Sequence, residues 1–190
     1  MRSENDSVTK GNASSTRMQL LQTYLRCVVI EYRKGSLFEA PKGSYLVHAC
    51  NTQGVWGSGI ATEFKKRFPH AFAVYSRHCQ NNSNFVLGQF WAIWDADYYV
   101  TCLLVSSGYG RQVDSEEEIK KQTKIVLDKF LQWVTDPKQH LNAVPVTEVY
   151  SNKFNSGFFR VPWNETEAIL LESLKTYNIK WIVYDPDLKT

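Results

Sequence analysis

Apolar residues follow two rhythms along this chain. Cys27 to Tyr32 (CVVIEY) and Tyr45 to Cys50 (YLVHAC) are short, near-continuous runs rich in β-branched and aromatic residues. That pattern belongs to strands covered on both faces. Lys34-Gly35-Ser36 closes the first run, and Pro41 and Gly43 lead into the second. A different period follows. Ile60, Phe64 and Phe68 recur every four residues with Lys65, Lys66 and Arg67 between them, which predicts an amphipathic helix with a wet basic face, stopped by Pro69. Phe72, Tyr75 and Cys79 predict a second short helix ending near Asn81 and Asn82. Phe85 to Trp94 and Tyr98 to Val105 read as two strands joined by a turn at Asp95-Ala96-Asp97.

Ser115 with Glu118 three positions later is a capping-box signature. Ile119, Val126, Phe130 and Trp133 extend it as the apolar stripe of a long helix, and Glu116-Glu117-Glu118 are capping charges at its positive end. Residues 142–145 read as a loop and Val146 to Tyr150 as a weak strand. Asn164 with Glu167 reads as the cap of another helix whose Ala168, Leu171 and Leu174 face inward, and Trp181 to Tyr184 as the last strand. Strands alternate with helices, which predicts an α/β layered fold with a mixed central sheet between helices.

Residues 1–19 are mostly polar and are expected to form a flexible arm, leaving one domain over residues 20–190. With 43% hydrophobic, 14% aromatic and 22% charged residues, the 190-residue chain can bury a core. A formal net charge of +3 suits an anionic small ligand. It is too weak and dispersed to argue for nucleic acid or a membrane surface. No run approaches the roughly 18 apolar residues of a membrane helix, and no signal pattern opens the chain. An intracellular monomer, cytoplasmic or nuclear, is expected. Cys27, Cys50, Cys79 and Cys102 are far apart and each lies in an apolar stretch, so they read as reduced buried thiols. His48 beside Cys50 and His78 beside Cys79 lack zinc-site spacing, so no metal and no cofactor are expected.

In layered α/β folds ligands gather beyond the carboxyl ends of strands. Three loops there share one chemistry. Asn51 to Ile60 (NTQGVWGSGI) carries Gly54, Trp56, Gly57, Ser58 and Gly59 between a strand and a helix. A helix start offers free N–H groups and a positive dipole end to an anion. The loop is neither a Walker motif, since Ile60 stands where the lysine is due, nor a dinucleotide fingerprint, since Thr62 replaces the third glycine. The other two loops are Ser106-Ser107-Gly108-Tyr109-Gly110 and Asn155-Ser156-Gly157-Phe158-Phe159. Together they suggest one extended site for a phosphorylated ligand, with Trp56, Tyr109, Phe158 and Phe159 as apolar or stacking walls.

Gly35-Ser36-Leu37-Phe38, His48-Ala49-Cys50-Asn51, Gly54 to Ala61 with Phe64, Phe68-Pro69, Leu87-Gly88, Ser106 to Gly110 and Asn155 to Trp163 follow in order the pattern of macro domains. The sequence most resembles the fungal ADP-ribose 1''-phosphate phosphatases, over about residues 28 to 184. That resemblance implies a three-layer α/β/α sandwich binding ADP-ribose or ADP-ribose 1''-phosphate along the strand ends. It places the diphosphate between the first and second loops and the distal ribose near Asn51, Gly57 and the third loop. It also implies a phosphoric monoester hydrolase acting on a by-product of tRNA splicing. Ser36 stands where many macro domains hold adenine with an aspartate. Ala61, Ser107 and Phe159 stand where de-ADP-ribosylating members carry acidic or basic groups, which disfavours that activity.

His48 and Asn51 are the candidate catalytic residues. A histidine can act as acid toward the departing sugar oxygen or as base toward a water, and an asparagine can orient ribose hydroxyls. One such group supplies typically 10²–10⁴ in rate, far short of what phosphomonoester hydrolysis demands, so backbone N–H stabilisation of the phosphate must supply more. With no acidic pair to hold Mg²⁺, metal-independent catalysis is expected. The competing reading is a module that binds ADP-ribose without turnover.

Overall fold

The computed structural model describes residues 30–81, 86–139, 146–177 and 179–189. The expected arm at residues 1–19, Cys27, Asn82, Phe85 and the loop at 142–145 lie outside them. The elements in chain order are β1 (Ile30–Lys34), β2 (Tyr45–Asn51), α1 (Ile60–Arg67), α2 (Pro69–Asn81), β3 (Phe90–Asp95), β4 (Tyr98–Ser106), α3 (Glu116–Val134), β5 (Glu148–Ser151), α4 (Trp163–Leu174) and β6 (Lys180–Asp185). They form one six-stranded sheet in the order β1-β6-β5-β2-β4-β3. Only the β3–β4 pair is antiparallel.

Alternation along the central strands divides the core in two. Tyr45 and Val47 of β2, with Leu103 and Val105 of β4, pack under α3 and α4. Leu46 and Cys50, with Val100, Cys102 and Leu104, pack under α1 and α2. This is the three-layer α/β/α arrangement, and it explains why β2 reads as a continuous apolar run: both faces are dry. No described helix is long and apolar enough to cross a membrane.

Several local expectations hold and others shift. The β3–β4 connection turns at Ala96 and Asp97, both with positive φ (44° and 71°), as a two-residue hairpin of the right twist requires. β3 starts at Phe90 rather than upstream, after Gly88 turns with φ +71° and donates its amide to the Leu104 carbonyl. Pro69 does more than stop α1: it opens α2, where a missing N–H costs nothing. At α3 the Ser115 hydroxyl accepts from the Glu118 amide. The Glu118 carboxylate, however, goes to Gln122 and Lys121, so only half of the box forms there. A complete box forms instead at Ser36 and Glu39, around a short 3₁₀ turn, Leu37–Glu39.

The start of α4 corrects the sequence reading. Its N-cap is Pro162 without any side-chain cap, and Asn164 sits exposed inside the first turn. The buried face is Thr166, Leu170, Ser173 and Leu174, which leaves Ala168 exposed. Replacing Ser115 by Ala should therefore cost about 0.5–2 kcal/mol in urea unfolding, the usual loss for an N-cap. Asn164→Ala should stay within about 0.5 kcal/mol of the parent, as exposed substitutions do.

Candidate functional site

β5, β2 and β4 are consecutive and parallel in the sheet, so their carboxyl ends finish at one edge. The loops that follow them surround a cavity of about 410 Å³, within the usual range for a small-molecule site. Its lining comes from 49–51 and 55–61 around the end of β2, Tyr109 and Gly110 after β4, and 152–159 after β5.

The first loop is held by Asn51. Its side-chain N–H donates to the Val55 carbonyl (2.8 Å), and its Oδ1 accepts from the Gln53 and Val55 amides (3.0 and 3.3 Å). The Tyr75 hydroxyl, buried under α2, donates to the Asn51 carbonyl at 2.5 Å. Asn51 thus lines the cavity, but its amide holds the loop in shape. Gly54 is required: at φ +74° a Cβ would come within 2.9 Å of the Ser76 Cα. Trp56 packs behind the loop, 2% exposed and stacked on Tyr75. Gly59 (φ 55°, ψ −142°) is the N-cap of α1 and has no side-chain cap. The first-turn N–H groups of Ile60 and Ala61 therefore have no intrahelical acceptor, and both residues line the cavity.

The second loop is closed on itself. The Ser106 hydroxyl donates to the Gly108 carbonyl and accepts from the Gly108 and Asp114 amides. The Ser107 amide and hydroxyl both donate to Asp114 (2.6 and 2.5 Å). A Cβ on Gly108 would meet the Gln112 carbonyl oxygen at 2.1 Å. In the third loop Asn155, at φ 67°, donates from Nδ2 to the hydroxyls of Thr123 and Thr166 (2.9 and 3.4 Å). Its Oδ1, and that of Asn152, are buried without a partner. Such acceptors are costly unless something supplies a donor. Phe158 (62% exposed) and Tyr109 (47%) stand on the rim.

A macro domain family model matches residues 47–170, which include most of β2, all of β4 and β5, and all three loops. Sequence relatives agree. An ADP-ribose 1''-phosphate phosphatase of Meyerozyma guilliermondii is 33% identical, covering 79% of this chain and 97% of its own length. That of Lodderomyces elongisporus is 37% identical, covering 77% and 95%. This chain belongs to the macro domain family. Solved structures share the fold. The macrodomain of Thermus aquaticus DarG superimposes with a TM-score of 0.66 at 19% identity, over 83% of this chain and 99% of the other. Thermosipho africanus DarTG in complex with ADP-ribose gives 0.61 at 14% identity, over 86% and 44%.

In this macro domain, Asn51, Trp56 to Ile60, Tyr109, Gly110 and Asn155 to Phe159 all line one cavity. Ser36, Leu37, Gly54, Ser106, Ser107 and Gly108 do not. Ser36 caps its 3₁₀ turn by accepting from the Phe38 amide, Leu37 is buried in the core, and the other four shape the loops from behind. His48 is the main departure from expectation. It is 0% exposed, because even-numbered positions of β2 face the α1 and α2 layer. Its ring stacks on Phe64 with centroids 4.0 Å apart, and Trp56 meets it edge-on. It contributes nothing to the cavity lining, so the direct acid or base role expected of it has no contact with a ligand there.

The sequence reading passes over Asn152, Lys153 and Cys50. Lys153 is the one charged side chain among the described residues lining the cavity, and its ammonium pairs with Asp185 at 2.5 Å. Asp185 ends β6, next to β5 in the sheet; a lysine directly after an apolar strand and ahead of the asparagine-glycine loop is the signal that marks it. The hydrogen bond from Lys153 holds the Asp185 carboxyl below its ordinary range despite burial, which acts the other way. At Cys50, burial opposes ionisation, yet hydrogen bonding from Cys102 and the adjoining His48 bring the thiol below the usual range; burial pushes Cys102 up.

A carboxyl depressed by folding contributes stability above its unfolded value, about 3.9, which is lost as pH falls through the lower folded value. Asp185→Asn should therefore lower the unfolding free energy from urea titration at pH 7 by on the order of 0.2–1 kcal/mol, since the lysine is partly exposed. The gap between variant and parent should narrow below pH ~4.

Proposed function

We propose that this macro domain is a phosphatase that hydrolyses ADP-ribose 1''-phosphate to ADP-ribose and inorganic phosphate. The observation that carries the reading is the cavity into which the uncapped start of α1 opens, faced by the asparagine-rich third loop. The relatives carrying that activity in their names match along nearly their whole length, which supports extending it here.

The diphosphate lies at the glycine turn, where the amides of Ile60 and Ala61 and the helix dipole favour negative charge by about 0.3–1 kcal/mol, or about 2 when partly buried. The ribose carrying the terminal phosphate lies toward the third loop. There Asn152 and Asn155 line the cavity beside the sugar. Water adds to phosphorus as the bond from phosphorus to the sugar oxygen breaks, and a proton from that water passes, through the phosphate or solvent, to the departing sugar oxygen. The backbone N–H groups and Lys153 stabilise the charge on the phosphoryl oxygens. One oxyanion-hole donor is worth about 10²–10³ in kcat. With no histidine or carboxylate in the described lining, amide donors and positioning carry the rate.

That same lining favours a second reading, capture of ADP-ribose without turnover. Phosphate release from ADP-ribose 1''-phosphate in the presence of EDTA, beside calorimetry with ADP-ribose, separates the two. Release with binding is the expected result. Binding without release supports the capture module, and neither, in folded protein, removes both. Gly59→Ala forces a side chain into a conformation open essentially only to glycine, 3.5 Å from the Phe158 ring. It should weaken ADP-ribose binding and kcat/KM at least tenfold, read by the same calorimetry and release assay.

A further inference from the structure

His48 and Cys50 are two apart on one face of β2, and β4 places Cys102 directly opposite His48 in the parallel register. The three side chains converge from two strands that chain order separates by 54 positions. His48 Nε2 lies 3.5 Å from the Cys50 sulfur and 3.9 Å from the Cys102 sulfur, and all three donor atoms fall within 4.8 Å of one another. Nδ1 faces the Cys50 sulfur as well, at 3.7 Å. Among the described residues this buried imidazole therefore has only sulfur, a weak donor and acceptor, for either nitrogen. Buried polar groups are ordinarily satisfied far better than that.

The spacing has a definite meaning in coordination chemistry. Two donors bound to one ion, with metal–sulfur bonds near 2.3 Å and metal–nitrogen bonds near 2.0–2.1 Å, lie roughly 3.6–3.8 Å apart. The two nitrogen-to-sulfur distances bracket that range. The donor set, two thiols and one imidazole, is soft. The surroundings are dry and aromatic: His48 and Cys102 are 0% exposed and Cys50 is 1% exposed, with Phe64 and Trp56 against the imidazole. Trp56 also brings a buried Nε1–H toward the Cys50 sulfur, with no better acceptor. A fourth histidine, cysteine or carboxylate ligand is missing among the described residues, which disfavours the four-coordinate closed site typical of structural Zn²⁺.

We propose that His48, Cys50 and Cys102 form a three-coordinate site for a soft monovalent metal ion, Cu⁺. On binding, both thiols give up their protons to solvent, and the ion bonds to two thiolate sulfurs and one imidazole nitrogen. The valence and oxidation state of the ion do not change. The site lies behind the wall of the ligand cavity, which Cys50 lines, and its existence does not depend on which nucleotide the cavity takes.

The test is anaerobic titration of the reduced full-length protein with Cu⁺ against a competing chromophoric Cu⁺ chelator, followed by near-ultraviolet absorption and by mass-spectrometric mapping of alkylated cysteines. One equivalent should leave the chelator, with a new sulfur-to-metal absorption and protection of Cys50 and Cys102 from alkylation. The double variant Cys27→Ser/Cys79→Ser should bind as the parent does, and Cys102→Ala, if its circular dichroism is native, should lose at least 100-fold in affinity. Should Cys102→Ala fail to fold, the protection pattern in the parent decides alone. No chelator-competing binding overturns the proposal, as does binding that protects Cys27 or Cys79 instead. A 1:1 complex with Zn²⁺ held more tightly than Cu⁺ overturns the choice of ion and coordination number.

Discussion

The site depends on one pairing constraint: β2 is flanked on both sides by parallel neighbours, β5 and β4. Parallel strands begin at one edge of a sheet and end at the other, so three segments distant in the chain must release their loops together. Antiparallel pairing at either flank would have sent one loop to the opposite edge. The antiparallel hairpin is confined to β3, at the sheet margin, where it does not disturb this convergence. The register between β2 and β4 shifts between Cys50 and Asn51, so that Asn51 pairs with Ser106. Such irregularities re-aim side chains at the end of a strand. Here the shift falls where β2 leaves the core and becomes the cavity wall.

Loop shape is then fixed by polar side chains acting on backbone. Asn51 closes the first loop, Ser106 and Asp114 the second, and Asn155 anchors the third to Thr123 and Thr166 on α3 and α4. Each engages backbone or hydroxyl groups that would otherwise hold water or flex. What they leave without an intrahelical acceptor is the first turn of α1, whose Ile60 and Ala61 line the cavity. A helix start of that kind suits a ligand that carries phosphate.

Much of this was legible in residue order. Periodicity located the helices and the central strands, and glycine marked the first two loops, where the backbone needs conformations or close approaches that side chains forbid; in the third the positive φ falls on Asn155. The roles of Asn51 and His48 are not legible in residue order, for a physical reason. A strand reveals alternation but not which parity faces the ligand, and here the even positions face the α1 and α2 layer. Asn51 has the amide chemistry to bind a sugar, yet the same chemistry closes its own turn. The α4 cap differs because the helix already starts after Pro162, two residues before Asn164, so that the Asn164 and Glu167 spacing falls inside it. Lys153 was passed over since its partner, Asp185, lies on another strand. The His48, Cys50 and Cys102 cluster was invisible for the same reason: ligand spacing rules are local, and this set is assembled by register.

The burial of His48 recasts how this fold can handle a phosphate ester. An acid or base must reach the proton it moves, within about 2.6–3.2 Å or through one water. A ring enclosed by Phe64, Trp56 and two sulfurs meets neither condition in this arrangement. Yet the residue is well placed to govern the wall it stands behind, because its contact with Cys50 ties the aromatic layer to the strand end that carries Asn51. Cys50 itself lines the cavity next to Asn51, so the core and the ligand cavity are joined at the end of β2.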